Sequence, residues 1–310
     1  MKSSTATGTT ATAEHYRGRF APSPTGPLHF GSLVAAVGSY LEAKSRDGQW
    51  RLRIDDLDAP RVAPGATDSI LRCLDALGFE WDGAVIFQSA RLPAYHAALH
   101  RLRRLDVLYP CACSRKEIAE SSLAGVEGAI YPGTCGGGLP PGRPARALRL
   151  SVRDATVAFV DGLLGPQRRE LEREAGDFIV YRADGVVAFH LASAVDESEM
   201  GITDVVRGAD LLESSARQVY VLSLLGWPAP GYTHLPVAVD GNGEKLSKQT
   251  HAAPVDATRP VPVLCEVLRF LDQDVSIGLE HAPLVQFWRH AIEHWDLKRV
   301  GPRLQAPAPG

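Results

Sequence analysis

Apolar positions along the chain change period several times, and each change marks an element. Tyr16-Arg17-Gly18-Arg19-Phe20-Ala21-Pro22 reads as a short strand running into a turn rich in Pro and Gly. Across 31–46, Leu33, Val34, Val37, Tyr40 and Leu41 recur at helical spacing. Gln49–Ile54 then reads as a strand that stops at the acidic Asp55-Asp56-Leu57-Asp58, with helices expected at about 67–78 and 91–106. This alternation of strand and helix is the signature of a parallel, doubly wound sheet, whose ligands bind beyond the carboxyl ends of its strands. Both the Pro-rich turn and the acidic triplet fall there.

Residues 111–176 break the rhythm. They are rich in Gly, Pro and Arg, with the run Gly136-Gly137-Gly138-Leu139-Pro140-Pro141-Gly142, and read as an insertion between two halves of a sheet. The pattern resumes at 177–181. A turn at Arg182-Ala183-Asp184-Gly185 and a returning run at 186–191 look like a hairpin. A helix at about 214–226, a strand near 235–239 and the turn Asp240-Gly241-Asn242-Gly243 follow. The expected fold is α/β: a Rossmann-like core with a parallel sheet, its first half at 16–110 and its second at 177–250. The insertion at 111–176 interrupts it, and a short helical C-terminal segment at 251–310 ends it. Residues 1–15, small and polar, read as a disordered tail.

Composition narrows the class. The chain has 310 residues, 45% of them hydrophobic and 22% charged, as in soluble globular proteins. No apolar run reaches the roughly 18 residues of a membrane helix, and the start lacks the apolar centre of a secretory signal, so a cytoplasmic protein is expected. A net charge of −3 gives no global signal for nucleic acid. Arginines do cluster at Arg101, Arg103 and Arg104, at Arg143, Arg146, Arg149 and Arg153, and at Arg168, Arg169 and Arg173. Such clusters suit a phosphate backbone or, equally, a solvated helix face. Five cysteines, an odd number without an export signal, argue against a disulfide framework. Cys73 and Cys265 fall in apolar helical patterns and read as core; Cys111, Cys113 and Cys135 do not.

Three segments carry candidate chemistry. In Pro22-Ser23-Pro24-Thr25-Gly26-Pro27-Leu28-His29-Phe30-Gly31-Ser32, a rigid turn delivers His29 and Gly31 to the start of a helix. A helix amino end offers unpaired N–H groups and a positive dipole end, which suits polyphosphate. Gly31 lets a nucleotide approach the backbone, and His29 can donate to phosphate oxygens; a plain loop and helix cap is the alternative. In Lys245-Leu246-Ser247-Lys248-Gln249, two lysines after a glycine-rich turn can neutralise charge growing on the β- and γ-phosphates. An exposed basic loop is the alternative there. Cys111-Ala112-Cys113 with Tyr131-Pro132-Gly133-Thr134-Cys135 offers three thiols and a phenol that can wrap zinc, or three free thiols in a loop.

The first two segments, in this order across an interrupted α/β sheet, resemble the two signature motifs of the class I aminoacyl-tRNA synthetases. The run Arg19-Phe20-Ala21-Pro22-Ser23-Pro24-Thr25-Gly26 with Leu28-His29, and the later Val205-Val206-Arg207-Gly208-Ala209-Asp210-Leu211-Leu212, resemble the glutamyl branch. The resemblance spans about residues 17 to 250. It implies a ligase that joins glutamate to the α-phosphorus of ATP, with Mg2+, releases pyrophosphate and passes the acyl group to a hydroxyl. Alignment and charge stabilisation suffice for that reaction, without a nucleophilic side chain. The implied catalytic residues are His29, Lys245 and Lys248, with His29, Gly31 and Lys248 on ATP. The implied glutamate site is Arg19, Phe20, Ala21, Pro22, Ser23, Asp55, Phe189 and Arg207. In it Arg19 and Arg207 suit substrate carboxylates and Asp55 the ammonium; buried arginines and aspartates also pair with each other. The family usually carries Glu where Asp55 stands and Tyr where Phe189 stands, so one contact is longer and one hydroxyl is lost.

The pattern Cys111, Cys113, Tyr131, Cys135 resembles the zinc site of one subgroup of the family, which attaches glutamate to queuosine in the anticodon loop of tRNA(Asp). It implies one structural Zn2+ that holds the insertion. Roughly 60 residues follow Gln249, fewer than the roughly 100 of a further domain, so no anticodon-reading domain is expected. The expected partners are glutamate, ATP and queuosine-bearing tRNA(Asp), with no membrane and no obligate protein partner. Two rivals stand beside this reading: a trimmed glutamyl-tRNA synthetase that charges a tRNA 3′ end, and a paralogue that binds an amino acid or RNA without catalysis.

Overall fold

The computed structural model describes residues 15–121, 123–125, 128–246 and 253–309. The chain opens with β1 (Arg17–Phe20), α1 (Phe30–Lys44), β2 (Gln49–Ile54), α2 (Ala66–Ala76), β3 (Ile86–Phe87) and α3 (Leu92–Arg104). Next come β4 (Leu108–Cys111), α4 (Arg115–Ser121), β5 (Leu123–Gly125), β6 (Gly128–Ile130), β7 (Ala147–Leu150), β8 (Thr156–Asp161), β9 (Gly165–Glu170) and the short α5 (Leu171–Glu174). The second half follows as β10 (Phe178–Tyr181), α6 (Phe189–Glu199), β11 (Asp204–Gly208), α7 (Leu212–Leu225), β12 (Gly231–Leu235) and β13 (Val237–Val239). It ends with α8 (Pro260–Phe270), α9 (Leu284–Glu293), α10 (Leu297–Val300) and β14 (Gln305–Pro307).

Helix α1 forms because Leu33, Val37 and Leu41 repeat on one face and are fully buried. Full burial of each such side chain contributes about 1.5–3 kcal/mol. His29 caps the helix, its Nδ1 accepting from the Ser32 N–H at 3.4 Å. The helix lies close on the sheet, since a β-carbon at Gly38 would stand 2.4 Å from Leu235 Cδ1. On its other side α8 and α9 complete a core in which Tyr40 meets Trp50, Phe79 and Trp288 edge to face. A second core joins α3, α6 and α7 to β7 and β10.

Strands β1, β2 and β3 pair in parallel, in that order. Strands β11 and β12 also pair in parallel. The chain thus runs outward from β1 to β3 and later returns on the other side of β1. There Thr203 donates its N–H to the Arg17 carbonyl at 3.0 Å and accepts from the Arg17 N–H at 2.8 Å. The reversal between β1 and β11 is the switch point of a doubly wound sheet. The inserted strands do not stand apart. Strands β4, β7 and β10 make an antiparallel sheet, and β8 pairs with β12 at Tyr232 and Asp161 while carrying β9 as a hairpin. Among the described residues no helix is long and apolar enough to cross a membrane.

Two local expectations are corrected. The run at 186–191 is not a returning strand: Val187 makes a single bridge to Tyr181, and α6 begins at Phe189. The C-terminal segment is not wholly helical, because β14 pairs in parallel with β13 and brings the end of the chain back to the core.

Candidate active site

The turn after β1 and the segments around the lysine loop meet. Leu246 donates its N–H to the Ala238 carbonyl at 2.9 Å, Val255 donates to the Leu28 carbonyl at 2.9 Å, and His29 bridges Pro254. A β-carbon at Gly31 would stand 3.3 Å from the His29 ring, which it would crowd, and 3.5 Å from the Leu246 carbonyl oxygen, in ordinary contact. Between these segments and the carboxyl ends of β1, β2, β11 and β12 lies a cavity of about 500 Å³. Arg19, Phe20, Ala21, Pro22, Ser23, His29, Gly31, Asp55, Phe189, Arg207 and Lys245 all line it. Lys248 lies outside the described residues. Lys245, half exposed, holds its Nζ 2.6 Å from Asp210 Oδ2.

The floor of the cavity is charged and dry. Arg19 Nε lies 3.0 Å from Glu197, Arg53 Nε lies 2.6 Å from Asp55, and Arg53 also lies 3.5 Å from Glu197, all with nearly buried side chains. Asp196, next in the chain, accepts from Arg91 at 2.6 Å, Gln88 at 2.7 Å and Tyr95 at 2.9 Å. Burial opposes the charge on Glu197, but Arg19 and Arg53 outweigh it and hold its carboxyl below the usual range. Arg19 and Asp55 therefore face the cavity while each has a partner of its own.

Arg207 is held differently. Its guanidinium, 4% exposed, donates to Ser215 Oγ at 2.7 Å, the Leu211 carbonyl at 3.2 Å and His234 Nε2 at 3.3 Å, and lies over the Tyr232 ring. Every acceptor is neutral, and no ion pair among the described residues involves it. Burial brings its pKa down to about 10, still far enough above neutrality to keep the charge. A buried cation that hydrogen-bonds only neutral groups at a cavity wall can receive an anionic group.

The cysteine segment forms a second centre. The sulfurs of Cys111, Cys113 and Cys135 lie within 4.8 Å of one another. Cys113 and Cys135 are 3.6 Å apart, and Tyr131 Oη lies 3.5 Å from both Cys111 and Cys113. A tetrahedral zinc with bonds of about 2.3 Å needs sulfurs roughly 3.8 Å apart, so the four donors fit. Arg149 donates to Cys111 Sγ at 3.3 Å and stacks 3.5 Å over the Tyr131 ring. Burial opposes ionisation of Cys111, but Tyr131 and Arg149 bring its thiol down to about 7, the direction a metal ligand needs.

The sequence reading did not select Arg53, Glu197 or Asp210, and it placed Arg149 only in an arginine cluster suited to a phosphate backbone or a solvated face. Asp210 falls inside the segment that carries the family resemblance and was within reach there. Glu197 carried no local signal, since its partners come from distant elements, whereas Arg53 pairs with Asp55 only two positions on.

The family model for the catalytic domain of class I tRNA synthetases (E and Q) matches residues 15–127 and 143–259. A protein called glutamyl-Q tRNA(Asp) synthetase from Aromatoleum aromaticum is 54% identical over 298 residues, 96% of this chain and 94% of its own length. One of the same name from Dechloromonas aromatica is 54% identical over 92% of this chain and 95% of its own. Among solved structures, a glutamate-tRNA synthetase from Elizabethkingia anophelis superposes with a TM-score of 0.78 at 25% identity. The match covers 95% of this chain and 68% of that one. A glutamate tRNA ligase from Elizabethkingia meningosepticum, in complex with its amino acid, gives 0.77 at 25% identity over 96% and 67%.

Proposed function

This chain belongs to the class I tRNA synthetases of the E and Q type and is a ligase of that kind, and from that premise we propose that it glutamylates queuosine in tRNA(Asp). In the first step a glutamate carboxylate oxygen attacks the α-phosphorus of ATP, with Mg2+, and pyrophosphate leaves. In the second a hydroxyl of queuosine takes the glutamyl group, loses its proton and releases AMP. A tRNA acceptor puts the reaction in the cytoplasm.

The observation that carries the reading is Arg207, a buried guanidinium with neutral partners only, on the wall of a cavity shared with His29 and Lys245. It supports a dicarboxylic amino acid, one carboxylate reacting and the other on Arg207. His29 and Gly31 at the α1 amino end, with Lys245 and Lys248, take the phosphates. Cys111, Cys113, Tyr131 and Cys135 would hold a structural Zn2+, which would tie β4 to the Gly-rich stretch of the insertion. The names of the relatives support queuosine as the acceptor. The test is transfer of labelled glutamate to tRNA(Asp) from cells with and without queuosine. Label confined to the queuosine-bearing tRNA is expected. Equal label on both contradicts the acceptor and favours charging of a 3′ end.

A further inference from the structure

Resting on the assignment of a glutamate carboxylate to Arg207, we propose that Asp161 and His234 are positioning residues that aim the Arg207 guanidinium into the cavity. Four elements meet at this point: β8 brings Asp161, β12 His234, α7 Ser215 and β11 Arg207. All four side chains are at most 4% exposed. His234 Nδ1 lies 2.6 Å from Asp161 Oδ2, and its other ring nitrogen lies 3.0 Å from Ser215 Oγ and 3.3 Å from Arg207 Nε.

The protonation pattern follows from donor chemistry. A guanidinium N–H only donates, so His234 Nε2 presents its lone pair to Arg207 and the ring proton stands on Nδ1, toward the Asp161 carboxylate. Asp161 is itself fixed, its Oδ1 accepting from the Leu163 N–H at 3.0 Å and the Leu164 N–H at 2.9 Å. Burial opposes its charge, but His234 and those N–H groups prevail and keep it ionised. Burial also pushes the His234 pKa down against the pull of Asp161, so the ring is neutral. Asp161 thus sets the tautomer, the tautomer sets the direction of Arg207, and among the described residues no carboxylate hydrogen-bonds the cation, Glu197 and Asp210 acting on it only at longer range. Through Asp161 the inserted segment reaches the substrate cavity.

Asp161→Asn tests the chain of cause. An amide that keeps its oxygen on the Leu163 and Leu164 N–H groups turns its NH2 to His234, which forces the proton onto Nε2 and sets two donors face to face at Arg207. In glutamate-dependent ATP–pyrophosphate exchange the KM for glutamate should rise about tenfold to a hundredfold, the weight of a hydrogen bond to a charged group. The KM for ATP should stay nearly constant. Adding His234→Gln, whose carbonyl can accept from Arg207 without a tautomer, should recover most of the loss. NMR of isotope-labelled histidine in the unaltered enzyme should give His234 protonated on Nδ1. An Nε2-protonated ring would overturn the proposal, whether or not the variants fold. An unchanged glutamate KM in Asp161→Asn, with a raised one in Arg207→Lys, overturns the relay and leaves the role of Arg207 intact. An unchanged KM in Arg207→Lys removes the assignment beneath both.

Discussion

Phe189 lines the cavity with its ring 38% exposed, at the start of α6. Tyrosine there adds a hydroxyl without a change of backbone. A neutral hydrogen bond contributes about 0.5–1.5 kcal/mol, so Phe189→Tyr should lower the KM for glutamate by roughly two- to tenfold; an unchanged KM would mean that the substrate does not reach this wall. His190, next to it, has a buried Nδ1 without a hydrogen-bond partner among the described residues. Burial first, then Arg217 and Arg207, push its pKa from 6.5 down to about 3. The unfolded chain therefore takes up a proton below about pH 6.5 that the folded chain refuses until about pH 3. Stability from this residue is complete above pH 6.5 and is lost as pH falls, by up to about 1.4 kcal/mol per pH unit. Buried, neutral His234 adds to the slope with the same sign. Denaturation midpoints between about pH 7 and pH 5 should fall less steeply in His190→Gln than in the unaltered chain. An identical slope would clear His190 as the source.

Helix α1 and helix α6 show which elements a sequence discloses. In α1 the apolar residues keep a helical period and a capping residue precedes them, so its extent was legible. In α6 the stretch Leu191, Ala192, Ser193, Ala194, Val195, Asp196 and Glu197 is buried without a break. No face is left polar, and the period that marks a helix vanishes. The acids Asp196 and Glu197 resemble a surface end, yet their partners lie elsewhere: Arg19 stands 178 positions from Glu197. The Val186-Val187 pair before Phe189 then reads as strand, which tertiary packing overrides. The same burial makes α6 sensitive. Glu197→Ala strands Arg19 and Arg53 without that carboxylate, and breaking such a buried pair costs about 3–5 kcal/mol. The urea midpoint should drop accordingly, while a shift within error would show the network to be dispensable. Strand β14 was illegible for a related reason, since it is short and acquires its identity only by pairing with β13.

At the scale of the molecule, the cleft follows from topology. The sheet reverses between β1 and β11, and the loops that leave β1, β2, β11 and β12 converge there. His29 and Lys245, more than 200 residues apart in the chain, therefore line one cavity. That convergence was legible because motif order and an α/β rhythm suffice to specify it. The internal partner of Arg19, and the relay behind Arg207, were not, because they depend on which distant side chains share a buried interior. ATP–pyrophosphate exchange measured with each amino acid in turn, without tRNA, bears on the account most directly. Exchange with glutamate well above every other amino acid is the predicted result. No exchange with any of them, or exchange led by a different amino acid, would contradict it.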